Sequence, residues 1–329
     1  MLQIEAEQLG MSYRVPVRGS GVVNSLKSLV HRTYREVNAV NRVSLSIGAG
    51  EIVAFLGPNG AGKTTTLKML SGILHPTSGS ANVLGFVPWR RERAYLMQIA
   101  FVRGSRPLSV PGELTVLDGL RFQQQIYRIS DGAFKQNLSV LSDMLGLNAI
   151  LERQVRALSL GERMRAGLAS SLLYKPKVLF LDEPTIGLDV STAMAVRRFI
   201  AAYTNEFKAA VLLTSHYMAD VEQLCKRLIL IHRGSIHYDG SIQGLKKTHA
   251  PIKIIRIPEA SLPSTAFAEE GAVITIEPDG QTAISVPKES AGRVVQRLMS
   301  EYVLNDFIIE EPPIEQLIDR IYREGAVPR

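Results

Sequence analysis

The amino-acid sequence predicts an α/β protein with a core of parallel strands, an antiparallel β subdomain, a helical subdomain and a small C-terminal α+β domain. Between Leu2 and about Leu245, apolar strand-like runs alternate with helical segments. A strand followed by a helix and another strand in the same sheet gives parallel pairing. After Gly244 the pattern changes to short strands, a hairpin and amphipathic helices. We therefore expect two domains, 1–244 and 245–329.

A glycine-rich segment, Gly57–Thr64, reads GPNGAGKT and fits the phosphate-binding pattern of glycine, four residues, glycine, lysine, and serine or threonine. It follows the apolar run Glu51–Leu56 and precedes the helical run Thr65–Ser71, which is the order that phosphate binding requires. Backbone amides and a helix N-terminus would surround the phosphates. Lys63 is expected at the β and γ phosphates and the Thr64 hydroxyl on Mg²⁺. The predicted nucleotide-binding residues here are Gly57, Pro58, Asn59, Gly60, Ala61, Gly62, Lys63, Thr64 and Thr65.

A second motif, Lys177–Pro184, is an apolar run that ends in two adjacent carboxylates. A buried parallel strand that delivers charge at its C-terminal end fits this pattern best. Asp182 is expected to hold magnesium through water, and Glu183 to polarise the water that attacks the γ-phosphate. Two acids can also simply begin a solvated turn, but their place downstream of a phosphate loop favours the catalytic role.

A third motif, Leu158–Glu162, reads LSLGE and precedes a helical run. Ser159 is a natural N-cap, so its hydroxyl and the Gly161 amide are expected at a helix N-terminus open to an anion. These residues resemble the signature of ATP-binding cassette (ABC) proteins, usually LSGGQ. The segment Ile186–Asp189 resembles the loop by which these proteins contact the opposite subunit, and Ser215-His216 resembles their switch histidine.

The resemblance covers about Leu2 to Leu245 and implies a P-loop NTPase fold, ATP and Mg²⁺ as ligands, and ATP hydrolysis. It also implies a homodimer or heterodimer, in which the signature residues of one subunit complete the ATP site of the other. Those residues are Ser159, Leu160, Gly161 and Glu162, and Asp189 would contact the opposite subunit. His216 would hydrogen-bond the γ-phosphate and sense its loss.

The phosphate loop and signature resemble those of ABC-2 type exporters of drugs, sodium or polysaccharides more than those of importers. A separate integral membrane permease is therefore the expected partner, with this chain at the cytoplasmic face of the membrane. Two alternatives stay open: a soluble ABC ATPase acting on ribosomes or DNA, and a regulatory, weakly active half of a heterodimer. Retention of Glu183 and His216 argues against the second alternative, whereas the absence of the family's glutamine, described next, argues for it.

The sequence departs from the family pattern in two places. The family's glutamine that reaches the magnesium is replaced by Ser105 or its neighbour, within Gln98–Ser109. Serine lacks the reach of a glutamine carboxamide, so we expect altered coupling to the permease and intact nucleotide binding. In the signature, Leu160 replaces a glycine and Glu162 a glutamine, while Ser159 and Gly161 are retained.

Two tyrosines, Tyr13 and Tyr34, are equal candidates for stacking on adenine, and an insertion at about 14–35 separates them. Within the insertion, 22–33 places apolar residues on one helical face and basic residues on the rest. Such a helix either lies at a membrane interface or packs on its own domain. A mostly helical subdomain is expected at about 87–157, where the family receives coupling helices of the permease.

Composition narrows the remaining classes of function. The chain has 329 residues, 46% of them hydrophobic, and its one cysteine, Cys225, excludes an intramolecular disulfide and a cysteine-based zinc site. No apolar run approaches the length of about 18 residues that spans a membrane, so a soluble protein is expected. The net charge of +7 is spread along the chain with little aromatic interleaving, so no nucleic-acid partner is expected. Attraction to an anionic membrane surface, or a plain solvated surface, explains the charge equally well.

The C-terminal domain is expected to form strands over Pro251–Pro258 and Phe307–Ile309, a hairpin over 271–286, and helices over Ser290–Tyr302 and Ile314–Tyr322. Dimer contact, regulation and substrate recognition all remain open as its role.

Overall fold

The computed structural model describes residues 1–16, 34–249, 252–258, 262–263, 265–277, 280–302 and 306–324. These form two compact units, Met1–Asp239 and Gly240–Arg329. The helix predicted over 22–33 lies outside the described residues. Among the residues that are described, none of the helices has the length and apolar character needed to cross a membrane.

Within its described residues, the first unit contains nine strands arranged in two sheets. They are β1 (Leu2–Pro16), β2 (Tyr34–Gly48), β3 (Ile52–Leu56), β4 (Ser78–Val83), β5 (Ile99–Arg103), β6 (Val178–Asp182), β7 (Ala210–Thr214), β8 (Arg227–His232) and β9 (Ser235–Ser241, whose last two residues pass into the second unit). A three-stranded antiparallel sheet has the order β2-β1-β4, and a six-stranded sheet has the order β5-β6-β7-β3-β8-β9. The strand pairs from β5 to β8 are parallel, which confirms the predicted α/β core.

The helices of this unit connect the strands and flank the site. They are α1 (Lys63–Leu70), α2 (Arg93–Leu96), α3 (Val116–Ile126), α4 (Asp131–Leu145), α5 (Leu160–Leu172), α6 (Val190–Phe207) and α7 (Met218–Leu224), with short 3-10 turns at Pro88–Arg90 and Val155–Ala157. Capping residues set several starts: the Thr115 side chain accepts from the Asp118 amide at α3, and the Ser130 side chain accepts from the Ala133 amide at α4.

The predicted helical subdomain at about 87–157 needs one correction. Strand β5 lies inside this range, yet it pairs in parallel with β6 and belongs to the central sheet. Its apolar run is largely buried against the core, and residues buried on both faces favour a parallel strand over a surface helix. The helices α3 and α4 follow it, so the helical part begins after Arg103.

One buried cluster of the first unit draws on both sheets and on α1. Phe55 of β3 and Phe180 of β6 are fully buried in it, as are Val43 of β2 and Met69 of α1. Because helices and the antiparallel sheet cover the central strands, β6 and β7 are nearly continuous apolar runs. Their carboxyl ends emerge at one edge, where Asp182 lies opposite Thr214 in the parallel register.

The second unit has the predicted α+β composition. Its elements are α8 (Ile242–His249), β10 (Ile252–Ile257), β11 (Val273–Ile276), β12 (Thr282–Pro287), α9 (Ala291–Glu301), β13 (Ile308–Glu310) and α10 (Ile314–Glu324). The strands form an antiparallel sheet in the order β11-β12-β10-β13. Ile255 and Ile284 of this sheet pack with Val294 and Leu298 of α9, together with Phe267, to form the unit's own core.

Candidate nucleotide-binding and hydrolysis site

The glycine loop lies between β3 and α1, in the order that the motif predicts. A Cβ atom at Gly57 would lie 2.3 Å from the carbonyl oxygen of Ile231, and one at Gly62 would lie 2.5 Å from that of Ala39. Gly62 also has φ +107°, a backbone conformation that L side chains rarely adopt. Both positions therefore require glycine. The first turn of α1 carries no carboxylate, so its N-terminal dipole is free to attract an anion.

Lys63 begins α1 and is almost fully buried beneath the loop. Its ammonium donates hydrogen bonds to the carbonyl oxygens of Gly57, at 2.5 Å, and Pro58, at 3.1 Å. Burial lowers the pKa of Lys63, and the nearby carboxylates of Glu183 and Asp182 oppose that shift. The lysine thus places a positive charge against the loop, near Asp182 at the end of β6 and Glu183 just after it.

Thr64 and Asp182 meet across the gap between α1 and β6. The Thr64 hydroxyl lies 3.2 and 3.1 Å from the two carboxylate oxygens of Asp182, and the Thr214 hydroxyl donates to Asp182 Oδ1 at 2.8 Å. Within the described parts of the chain, no cluster of three or more His, Cys, Asp and Glu could hold a metal by itself. Mg²⁺ usually takes one or two protein oxygens and completes its shell with phosphates and waters, so the Thr64 and Asp182 oxygens fit an ion that arrives with a nucleotide.

Glu183 and His216 form a pair at the same edge of the sheet. His216 Nε2 lies 3.0 Å from Glu183 Oε1, and both side chains are partly exposed. The Glu183 amide donates to the carbonyl and hydroxyl oxygens of Thr214, each at 3.1 Å. Glu183 has φ +56°, a left-handed conformation that costs a non-glycine residue about 1–2 kcal/mol. Backbone strain of this kind concentrates at functional sites.

The segment where the family carries its glutamine begins with a tightly packed glycine. The Gly104 amide donates to the Asp182 carbonyl oxygen at 2.8 Å. A Cβ atom there would lie 1.8 Å from the Glu183 carbonyl oxygen, so no side chain fits. Ser105 is the next residue and is exposed. A glutamine in this turn is therefore excluded at 104 and has room at 105.

The signature segment begins α5, and Ser159 occupies the predicted N-cap position. Its hydroxyl oxygen accepts from the Glu162 amide at 3.2 Å, and the Glu162 carboxylate accepts from the Ser159 amide at 2.8 Å. Arg153 pairs with the same carboxylate at 2.6 Å. The pKa of Glu162 is lowered, mainly by the Ser159 amide. The sequence predicts a helix N-terminus open to an anion at this position. In the structure a carboxylate lies at this helix N-terminus, with an arginine beside it.

The neighbouring loop, Ile186–Asp189, also contacts this segment. A Cβ atom at Gly187 would lie 3.0 Å from the Leu160 side chain, and one at Gly161 would lie 2.9 Å from Thr192. Asp189 caps α6 by accepting from the Thr192 amide at 2.9 Å, and hydroxyl donors from Ser191 and Thr192 help to hold its pKa well below the usual range. The Asp189 carboxylate is thus fixed within its own chain.

The two tyrosines considered for adenine lie on the β1–β2 ribbon. Tyr13 is opposite Val37, and Tyr34 is opposite Pro16. Ala39 of β2 is the residue whose carbonyl oxygen lies against Gly62. With a rise of about 3.3 Å per residue, Val37 lies about 7 Å from that contact and Tyr34 about 17 Å. Tyr13 is therefore the nearer of the two to the phosphate loop.

Sequence reasoning missed a buried group behind the site. Asp220 of α7 accepts hydrogen bonds from Thr185, Ser215 and Arg197. The acid lies four residues after His216, in the first turn of a short helix, and this spacing was the available signal. Its partners come from three other segments, so the sequence does not reveal them.

Comparison with known proteins shows the family to which this chain is similar. Residues 40–186 match the family model described as ABC transporter. The ABC transporter ATP-binding protein NatA, from Bacillus subtilis, is 34% identical over 64% of this chain and 84% of its own length. The bacitracin transport ATP-binding protein BcrA, from Bacillus licheniformis, is 32% identical over 66% of this chain and 69% of its own length.

A solved structure shares the fold: a dimeric ATP-binding cassette in a post-hydrolysis state, bound to ADP and Pi. It has a TM-score of 0.59 and 20% identity, and the match covers 73% of this chain and 98% of that one. This likeness confirms the predicted P-loop fold. The family match and the ATP-binding relatives confirm the predicted ATP binding and ATPase activity. The chain belongs to the ABC transporter family and is one of its ATP-binding subunits.

Proposed function

We propose that this chain is one of two ATPase subunits that drive export through a separate membrane-spanning permease, at the cytoplasmic face of the membrane. The observation that carries the hydrolytic role is the Glu183–His216 pair beside the Thr64–Asp182 pair. A water-orienting carboxylate and a metal-binding carboxylate at one sheet edge are what phosphoryl transfer to water requires. The transport role is supported by the names of the relatives.

Each group has a distinct part in this proposal. Lys63 and the amides of the glycine loop bind the β and γ phosphates, and Thr64 and Asp182 hold Mg²⁺. When bound, Mg²⁺ neutralises phosphate charge. Glu183 orients and polarises the attacking water, and His216 hydrogen-bonds the γ-phosphate while it fixes the Glu183 carboxylate. Tyr13, the tyrosine nearer to the loop, stacks on adenine in preference to Tyr34.

Membership of the family supports a dimer in which each signature faces the other subunit's phosphate loop. Exposed apolar side chains surround the signature and the loop after β6, including Leu160, Ile186 and Val190. An apolar surface of this kind supports burial against a second subunit. Ser159 and Gly161 would reach the partner's ATP, and Asp189 would lie at the subunit boundary. Homodimer and heterodimer both fit these features.

The permease contact is proposed on the helical part of the first unit. A groove of about 750 Å³ lies along α3 and α4, with an apolar lining that includes Leu114, Phe122 and Phe134 and a charged rim that includes Arg121 and Lys135. Phe122 is 63% exposed, which is unusual for a large aromatic side chain. A helix of the permease with an apolar face fits this groove.

Glu183→Gln tests the hydrolytic role, because glutamine keeps the size of the side chain and cannot accept a proton from water. We expect ATP binding to persist, hydrolysis to fall to background, and the ATP-bound dimer to accumulate in size-exclusion chromatography with light scattering. Glu152→Gln, at an exposed glutamate outside the site, is the matched control. Hydrolysis at the native rate in Glu183→Gln would contradict the proposal.

The transport role is tested by purifying the tagged chain from detergent-solubilised membranes and identifying co-purifying proteins by mass spectrometry. A stoichiometric polytopic membrane protein is the expected result. Recovery with ribosomes or nucleic acid alone would instead support the soluble ATPase alternative.

A further inference from the structure

We propose that Asp220 is a positioning residue for ATP hydrolysis, which holds Glu183 and His216 in register through hydrogen bonds to Thr185 and Ser215. The inference rests on the proposed function, because it assumes that Glu183 and His216 act on the γ-phosphate. Asp220 itself touches neither group in the structure, and its effect passes through its hydroxyl partners.

Asp220 lies in the first turn of α7 and is 0% exposed. Its Oδ2 atom accepts from the Thr185 hydroxyl at 2.5 Å and from the Ser215 hydroxyl at 2.6 Å. Its Oδ1 atom accepts from Arg197 Nε at 2.7 Å, and the Arg197 side chain is 11% exposed. A buried carboxylate requires such partners, since an unpaired charge in the interior is strongly disfavoured. The three hydrogen bonds together compensate the buried charge of Asp220.

The two hydroxyl partners flank the hydrolytic pair along the chain. Thr185 follows Glu183 after one intervening residue, Pro184, whose fixed φ limits the freedom of the link. Ser215 directly precedes His216, and its hydroxyl also accepts from the Tyr217 amide at 3.0 Å, which closes a turn around the histidine. One carboxylate thus anchors both segments that carry the pair.

The backbone conformation of Glu183 has to be held in place by its surroundings. Its φ of +56° persists because surrounding contacts fix it from both sides. On the N-terminal side, the Glu183 amide donates to Thr214. On the C-terminal side, the Thr185 hydroxyl donates to Asp220. Loss of the second contact allows the loop to relax and moves the Glu183 carboxylate relative to His216.

The test removes the hydroxyl anchors and keeps the carboxylate, because replacing Asp220 would also remove the charge that pairs with the largely buried Arg197 side chain. Thr185→Val keeps the shape of the side chain and deletes the hydrogen bond. We expect kcat to fall about tenfold to hundredfold, the range associated with a displacement of up to about 1 Å at a reacting group. The KM and Kd for ATP should stay at native values, because the phosphate loop is not touched. Thr185→Ser restores the hydroxyl and should restore kcat.

Two further variants separate positioning from general stability. Ser215→Ala removes the anchor of the second segment and should lower kcat in the same way. Thr204→Val is the matched control, since Thr204 is also buried and its hydroxyl has no hydrogen-bond partner. It should keep native kcat. Melting temperatures of all the variants are measured alongside the rates.

The outcomes distinguish failure of the hydrolytic role proposed for Glu183 from failure of the positioning role proposed for Asp220. If Glu183→Gln retains hydrolysis, the assigned site is wrong and the positioning role falls with it. If Glu183→Gln is inactive while Thr185→Val and Ser215→Ala hydrolyse ATP at the native rate, Asp220 has no positioning role. A loss of kcat in Thr185→Val that Thr185→Ser does not restore would likewise overturn the proposal, because packing and not the hydrogen bond would then be responsible.

Discussion

Replacing Gly104 with alanine should selectively impair hydrolysis, because this glycine lies directly against the backbone of Glu183. The added Cβ would lie 1.8 Å from the Glu183 carbonyl oxygen and 2.7 Å from the Ile186 side chain. Real Cβ contacts essentially never fall below 3.0 Å, so the two backbones must separate by roughly the 1.2 Å that divides 1.8 from 3.0 Å. The Ile186 side chain can rotate, whereas the Glu183 carbonyl is part of the main chain.

The size of the effect follows from that displacement. A misplacement of about 1 Å at a catalytic group can lower the rate about 100-fold, which corresponds to about 2.7 kcal/mol in the activation barrier. Binding of ATP should be retained, since Gly104 contacts the acidic strand and not the glycine loop. The predicted result is therefore a lower kcat with native affinity for ATP.

The assay is steady-state phosphate release, combined with a nucleotide-binding titration and a thermal melt. Gly132→Ala is the control, because a Cβ at Gly132, within α4, would meet nothing within 4 Å. It should keep native activity and raise stability by about 0.5–1 kcal/mol, as alanine does in helices. Native hydrolysis by a folded Gly104→Ala protein would refute the link between this turn and Glu183.

Four other changes have expected outcomes. Ser105→Gln, at the position with room for the family's glutamine, should increase stimulation of the ATPase by the permease in proteoliposomes. Lys63→Ala should weaken ATP binding in a titration, since it removes the buried ammonium of the loop. In the native chain the hydrogen bond from the Ser159 amide lowers the pKa of Glu162. This contact therefore stabilises the fold at pH values above the pKa of an unfolded glutamate, about 4.3. The stabilisation is lost as the pH falls through the lower pKa of Glu162 in the folded protein. Glu162→Gln should therefore show a melting temperature that depends less on pH in acid. Phe180→Ala should lower the free energy of unfolding in urea by about 3–5 kcal/mol, because it empties the centre of the core.

The features predicted from the sequence are those fixed by local chemistry. The glycine loop is predictable because Gly57 and Gly62 are imposed by backbone approach and positive φ, and both leave a recognisable pattern. Strands β6 and β7 are predictable because burial on both faces leaves a continuous apolar run. The helix cap at Ser159 is predictable because its hydroxyl accepts a hydrogen bond from its own helix, so the contact is local in sequence.

The features that the sequence analysis missed depend on contacts between distant segments. Strand β5 lies inside the range predicted to be mostly helical, because its place in the central sheet depends on its pairing with the distant strand β6. The pairing of Glu162 with Arg153 changes the electrostatics of the signature, yet nothing in the motif itself indicates the arginine. The tight packing of Gly104 on Glu183 depends on the register of β5 and β6, which the sequence does not display.

Thr214 links the two halves of the proposed site by hydrogen bonds. Its hydroxyl donates to Asp182 Oδ1 at 2.8 Å and accepts from the Glu183 amide at 3.1 Å. The same hydroxyl therefore joins the carboxylate proposed for Mg²⁺ to the residue proposed for the attacking water. Valine has the same shape and would complete β7 equally well, but it can make neither bond. The threonine at the end of β7 therefore serves hydrogen bonding as well as burial. A movement of Asp182 would be transmitted through this hydroxyl to the backbone of Glu183, which has a positive φ.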